Sequence, residues 1–115
     1  MEVADVQNVK VVKLMKRVDA LTSRELSTTL QGLIEGGAAR VLCSLQNTEY
    51  ISSAGLGVIL GAAKALKKAN GKLGLCCPRN SYTYEILETA GLTNVLLVFE
   101  SEEEAVAGLQ GIWVD

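Results

Sequence analysis

The chain has 115 residues, 49% of them hydrophobic and 21% charged, with a formal net charge of −2 at pH 7. That length and balance predict one globular domain over residues 1–115 with one core, not a disordered segment, and the charge gives no reason to expect nucleic-acid binding. There is no histidine, which removes serine–histidine triads, imidazole acid–base chemistry and most zinc sites.

Glu2 to Val6 reads as a weak edge strand that turns at Gln7-Asn8 into a strand over Val9 to Met15. In that second strand Val9 and Val11 share one face, and Lys10, Val12 and Leu14 the other. Thr22-Ser-Arg-Glu25 has the form of a capping box, with Thr22 as N-cap. Leu26, Leu30, Leu33 and Ile34 follow at helical spacing, and Gly36-Gly37 ends the helix. Arg40 to Leu45 is a short buried strand and Gln46 to Glu49 a polar loop. A second helix runs from about Ser53 to Ala69, closed by Asn70-Gly71, and Lys72 to Cys77 is the next strand. A third helix spans roughly 80–90, with Ile86 and Leu87 inward and Gly91 as its stop. Val95 to Phe99 is an apolar strand. Ser101-Glu-Glu-Glu104 is a second capping box, opening a helix whose apolar side is Ala105, Val106 and Leu109. The tail 111–115 is ambiguous, with Trp113 a candidate to pack back on the body. Alternation of this kind predicts an α/β fold: a mostly parallel mixed sheet of about five strands with about four helices, one sheet face carrying most of the helical cover. The expected core holds Leu30, Leu33, Val41, Cys43, Leu56, Ile59, Leu75, Leu87 and Leu97.

The stretch from Tyr50 to Leu66 is the most informative. An apolar strand runs into Ser52 and Ser53, and a small-residue helix opens directly after them. A hydroxyl then stands at a helix N-terminus, where free N–H groups and the positive end of the dipole favour a phosphate. One serine can cap the helix while the other stays free. Leu56, Ile59, Ala63 and Leu66 form the heavy apolar face of this helix, and Val58, Ala62, Ala65 and Ala69 a small-residue flank. Gly57, Gly61, Lys64 and Lys68 form an outward stripe, where glycine lets another chain approach the backbone closely. The residues alone thus suggest a modifiable serine beside a docking surface.

Other chemistry is poorly supported. Gly55-x-Gly57-x-x-x-Gly61 misses the dinucleotide fingerprint by one residue, and no phosphate-loop lysine motif exists. Glu85 and Glu88 lie on one helix and read as a solvated face. Lys64, Lys67, Lys68 and Lys72 read as a solvated helix end. Cys43, Cys76 and Cys77 are odd in number, fit no zinc spacing and read as buried thiols of a reducing compartment. The longest uncharged apolar run, Ala54 to Ala63, is too short to span a bilayer. With no signal-peptide core at its start, the chain reads as soluble and cytoplasmic.

The segment Ile51-Ser-Ser-Ala-Gly-Leu-Gly-Val-Ile-Leu60 resembles the signature of STAS domains, specifically of bacterial anti-sigma-factor antagonists. Arg17-Val-Asp19, Pro78-Arg79, Glu85-Ile-Leu-Glu-Thr-Ala-Gly-Leu92 and Phe99-Glu-Ser-Glu-Glu-Glu-Ala105 are similar to further family segments, so the resemblance covers nearly the whole chain. It implies the STAS fold and a protein that is not an enzyme and needs no cofactor or metal. It also implies a cycle. The unmodified antagonist binds an anti-sigma factor that is also a serine kinase, and a sigma factor is freed for transcription, indirectly. The kinase phosphorylates the antagonist and the pair separates; a PP2C-type phosphatase resets it. By position the phosphorylated serine is Ser53, two residues before Gly55, with Asp19, Ser44, Ser52 and Gly55 as neighbours. Ala54, Leu56, Gly57, Gly61 and Lys64 are the expected partner surface of a monomer or weak dimer. Three departures stand out: Ser52 replaces a common aspartate, Ser44 an acidic or amide residue, and Lys16 a common glycine. The alternative is a STAS scaffold in a lipid-transport or stress-signalling complex, without a phosphorylation cycle.

Overall fold

The computed structural model describes residues 1–110. Strands β1 (Glu2–Val6) and β2 (Val9–Lys13) form an antiparallel hairpin. Its two turn residues, Gln7 (φ 50°) and Asn8 (φ 70°), are both left-handed, as a two-residue turn matched to strand twist requires. The chain continues through β3 (Arg17–Val18), α1 (Thr22–Glu35), β4 (Arg40–Ser44), β5 (Tyr50–Ile51), α2 (Ser53–Lys68), β6 (Lys72–Cys76), α3 (Tyr82–Thr89), a 3-10 turn at Leu92–Asn94, β7 (Leu97–Phe99) and α4 (Glu102–Leu109). The main sheet has the order β1-β2-β4-β6-β7, parallel from β2 onward. β3 and β5 form a separate parallel pair with Arg17 opposite Tyr50 and Val18 opposite Ile51.

The period of two along the strands divides the core between the sheet's faces. Val12, Val41, Cys43 and Leu75 pack with Leu26, Leu30, Ile59, Leu66 and Leu87 from the first three helices. Val9, Val11, Leu42 and Cys76 pack with Ala105, Val106 and Leu109 of α4 on the other side. The uneven helical cover expected from the sequence is borne out. All three cysteines are buried free thiols, and burial pushes the Cys43 thiol up to about 12.

Several local expectations need correction. Thr22 does not cap α1: the N-cap position is Leu21, which makes no side-chain capping bond. Asp19 does the work instead, its Oδ1 accepting from the backbone N of Leu21 (3.1 Å) and Thr22 (2.9 Å) and from Thr22 Oγ1 (3.0 Å). These bonds, those of Thr22 foremost, hold the Asp19 carboxyl below its ordinary range. Leu97 is 50% exposed, not in the core, because β7 is an edge strand and it is the neighbours Leu96 and Val98 that pack against the larger cluster. Leu33 and Leu56 are half-buried against that cluster. The strand expected from Val95 begins only at Leu97, since residues 92–94 wind into the 3-10 turn. α3 starts at Tyr82, capped by Ser81, whose Oγ accepts from Tyr84 N at 3.1 Å. At α4 Ser101 caps as predicted, but Glu104 reaches back to the N–H of Glu100. The expectation for Trp113 lies outside the described residues. Among them, no helix is long and apolar enough to cross a membrane.

Candidate functional site: the start of the second long helix

The β3–β5 pair positions the first turn of α2. Ser52 N donates to Val18 O at 2.7 Å, tying the helix start to β3. Ser52 is extended (φ −87°, ψ 170°) and is the N-cap; its Oγ accepts from Gly55 N at 3.3 Å. Ser53 is the first helical residue, exposed, with no side-chain hydrogen bond among the described residues. Helix geometry leaves the first N–H groups without partners inside the helix. Ser52 N and Gly55 N are satisfied as above, so those of Ser53 and Ala54 remain available beside the Ser53 hydroxyl.

Gly55 is buried, and a Cβ there would stand 2.6 Å from Val18 Cγ1 and 2.9 Å from Ile51 Cγ1. Glycine is what allows α2 to begin against the β3–β5 pair. Gly57 and Gly61 differ: both are exposed, and a Cβ at either meets nothing within 4 Å. The same substitution on one helix therefore has opposite expected signs. Gly57→Ala should gain up to about 1 kcal/mol of helix propensity. Gly55→Ala should instead lose up to about 2 kcal/mol, overpacking of about 1–3 kcal/mol outweighing that gain. Urea unfolding of the two variants checks the signs.

The loop before the site is held from three directions. Thr48 Oγ1 donates to Met15 O (2.9 Å), Thr83 Oγ1 of α3 donates to Thr48 O (2.6 Å), and Gln46 Nε2 donates to Glu100 O (2.9 Å). Thr48 and Thr83 are 5% and 1% exposed. Sequence reasoning missed both; the available signal was a threonine one turn before Leu87 on the inward side of α3. The Arg17 guanidinium lies 4.6 Å from the centroid of the Tyr50 ring, at the rim of the site.

The structure places Asp19 directly after the β3 residue that accepts from Ser52, so it shares this end of the molecule. It does not bring Ser44 to Ser53: the Ser44 hydroxyl donates to Glu102 Oε2 of α4 at 2.6 Å. Ala54 is exposed and Leu56 half-buried. Gly57 and Gly61 line a groove of about 340 Å3 between α1 and α2. Lys64 is exposed but lines a different groove, toward β6 and β7. Ser53 and Leu56 border a cleft of about 440 Å3 whose other wall is α3, with Tyr82, Glu85 and Ile86. The α3 wall was not anticipated from the sequence.

The division between the two serines has a measurable consequence. Ser52→Ala should cost about 1 kcal/mol, as loss of an N-cap does, whereas Ser53→Ala should leave stability within about 0.5 kcal/mol. Thermal melts of the two variants check this; equal losses would mean that both hydroxyls support the helix.

The chain is thus an α/β sheet covered by three helices on one face and one on the other, with an exposed serine at a capped helix start. A family model for the STAS domain matches residues 1–105. The chain belongs to the STAS domain family. BtrV of Bordetella bronchiseptica, which carries the name of an anti-sigma factor antagonist, is 33% identical over 93 residues, 81% of this chain and 79% of BtrV. The anti-sigma F factor antagonist of Paenibacillus polymyxa is 27% identical over 105 residues, 90% of this chain and 89% of that protein. Among solved structures, the unphosphorylated anti-sigma factor antagonist SpoIIAA superposes with a TM-score of 0.80 at 20% identity, over 96% of both chains. SpoIIAA, a Bacillus cell fate determinant, is also known in phosphorylated form (TM-score 0.71, 20% identity, 93% of this chain and 96% of that one). The same fold occurs in a sulfate transporter family protein of Wolinella succinogenes (TM-score 0.73, 16% identity, 93% of this chain and 88% of that one).

Proposed function

We propose that this chain is an anti-sigma-factor antagonist that acts as a single STAS unit and is switched by phosphorylation of Ser53. It binds an anti-sigma factor that is also a serine kinase and so releases a sigma factor. Phosphorylation separates the pair, and a PP2C-type phosphatase restores binding. The names of the relatives support the antagonist role, and the existence of a phosphorylated SpoIIAA supports the chemistry. The observation that carries the reading is local: Ser52 caps α2, which leaves the Ser53 hydroxyl exposed beside two spare N–H donors. The docking surface includes Ser53, Ala54, Leu56, Gly57 and Gly61, with Lys64 at its far margin and Asp19 near the loop. The protein works in the cytoplasm as a monomer or weak dimer, without a cofactor or catalytic group of its own.

Incubation with the cognate kinase and ATP, followed by fragment mass spectrometry, tests the site. The phosphate is expected on Ser53, and Ser53→Ala should bind the kinase yet resist modification. A phosphate on Ser52 alone would overturn the assignment. Binding with no phosphate at all would favour a STAS scaffold that works without the cycle.

A further inference from the structure

The other end of α2 carries a second surface. Leu60, Ala63, Lys64 and Lys67 fall on one side of the helix and wall an open groove of about 510 Å3. The opposite wall is the border of the sheet, with Lys72 at the start of β6 and Val95 and Leu97 leading into β7. Val95 is 66% exposed and Leu97 50%. β7 is the last strand of its sheet, so these side chains stand uncovered among the described residues. Sheet borders are ordinarily blunted by charge or covered, and adjoining large exposed apolar groups mark interaction surfaces. Here three lysines ring the apolar floor. None has an ion-pair partner among the described residues, where the ion pairs are Lys10–Asp5 and Arg79–Glu100. Helix-end electrostatics explains Lys67, in the last turn of α2. It does not explain Lys64, further in, or Lys72, on a strand.

We propose that this groove docks an acidic amphipathic helix of a partner protein. Its apolar face would cover Leu60, Val95 and Leu97, and its carboxylates would meet Lys64, Lys67 and Lys72. The shape favours a helix over a small ligand, because small-molecule sites enclose most of their ligand, whereas an amphipathic helix needs an open groove for one face. A second copy of the chain is a poor occupant. Its most acidic helix is α4, whose apolar side is already buried on the sheet. Lys64 lies eleven residues beyond Ser53, roughly 16 Å along the helix axis. That exceeds the screening length of roughly 8 Å at physiological salt, so a charge at position 53 should leave the groove's own affinity nearly unchanged, although Lys64 also borders the kinase surface.

A synthetic amphipathic helical peptide of leucine and glutamate, titrated into the 15N-labelled full chain, tests this. Amide shifts are expected over 60–67, 72 and 95–97, with unchanged affinity in Ser53→Asp. Lys67→Glu combined with Lys72→Glu, and separately Leu97→Lys, should each weaken binding at least about tenfold, or about 1.4 kcal/mol. Thermal melts verify that the variants fold; if Leu97→Lys does not, Val95→Ser takes its place. Shifts elsewhere, no shifts at millimolar peptide, or equal binding of a leucine–lysine peptide would overturn the proposal. Shifts of the same residues with phosphatidylglycerol vesicles but not with the peptide would reassign the groove to a membrane surface. Concentration-dependent shifts of those residues without peptide would reassign it to a second copy.

Discussion

Phosphorylation of Ser53 is expected to lower affinity for the kinase partner about a hundredfold or more while leaving the melting temperature nearly unchanged. The two halves of this result have separate causes. At the first helical position, the phosphate meets the free N–H groups of Ser53 and Ala54 and the positive end of the helix dipole, so the folded state accommodates it. In a complex, the same group adds up to about two negative charges to a surface that must lose its water. Burying such charge without a cation costs several kcal/mol, and about 2.7 kcal/mol already gives the hundredfold loss. Titration calorimetry and melts on the modified and unmodified protein measure both halves. A drop in melting temperature comparable with the loss of affinity would locate the switch in the fold. Ser53→Asp should weaken binding less, because one carboxylate carries less charge and fewer acceptors.

Gly61→Gln should keep or raise the melting temperature and weaken kinase binding at least about tenfold, or roughly 1.4 kcal/mol. The open space around a Cβ at Gly61 allows the side chain to follow a solvent path. Replacing a helical glycine gains up to about 1 kcal/mol. The glutamine would also stand in the groove between α1 and α2 that the glycines leave shallow. A destabilised variant would contradict the open position of Gly61. A stable variant with full affinity would place the interface elsewhere, with the α3 side of the Ser53 cleft as the next surface to mutate.

The parts of this molecule legible in its sequence are those governed by local periodicity. The alternation Val9/Val11 against Val12/Leu14 assigned each residue to the correct side of the sheet, and 3.6-residue spacing placed Ile59 and Leu66 in the core. The hairpin turn at Gln7-Asn8 and the cap at Ser101 were legible because turn and cap chemistry is short-range; a serine cap for α2 was legible too, but not whether Ser52 or Ser53 supplies it. What was not legible depends on partners distant in the chain. The cap of α1 is an exception: Asp19 and Thr22 are both good caps, and the bonds Asp19 accepts from the N–H groups of Leu21 and Thr22 are as local as a cap at Thr22 would be. Leu97 looks like a core residue until the strand order makes β7 an edge. Ser44 stands at a strand end close in sequence to the switch, but the sheet turns its hydroxyl toward Glu102. The Thr48–Thr83 link joins residues 35 apart, beyond any spacing rule. At the site itself, the serine pair and the glycines were legible, while the α3 wall with Tyr82 and Glu85 emerged only from tertiary packing.

The separation of capping from modification has an evolutionary corollary. Because Ser52 caps the helix and the Ser53 side chain makes no hydrogen bond among the described residues, position 53 is free to change with little penalty in folding, and under the proposed switch a single codon would determine whether this protein responds to a kinase. An alanine there would make a permanently competent binder, and an acidic residue a weakened one, both inheriting an intact scaffold. Duplicated copies of such a domain can therefore drift between regulated and unregulated roles in one mutational step and return by another. A switch whose serine also held the fold together would have no such path, since each loss of regulation would first have to survive a loss of stability.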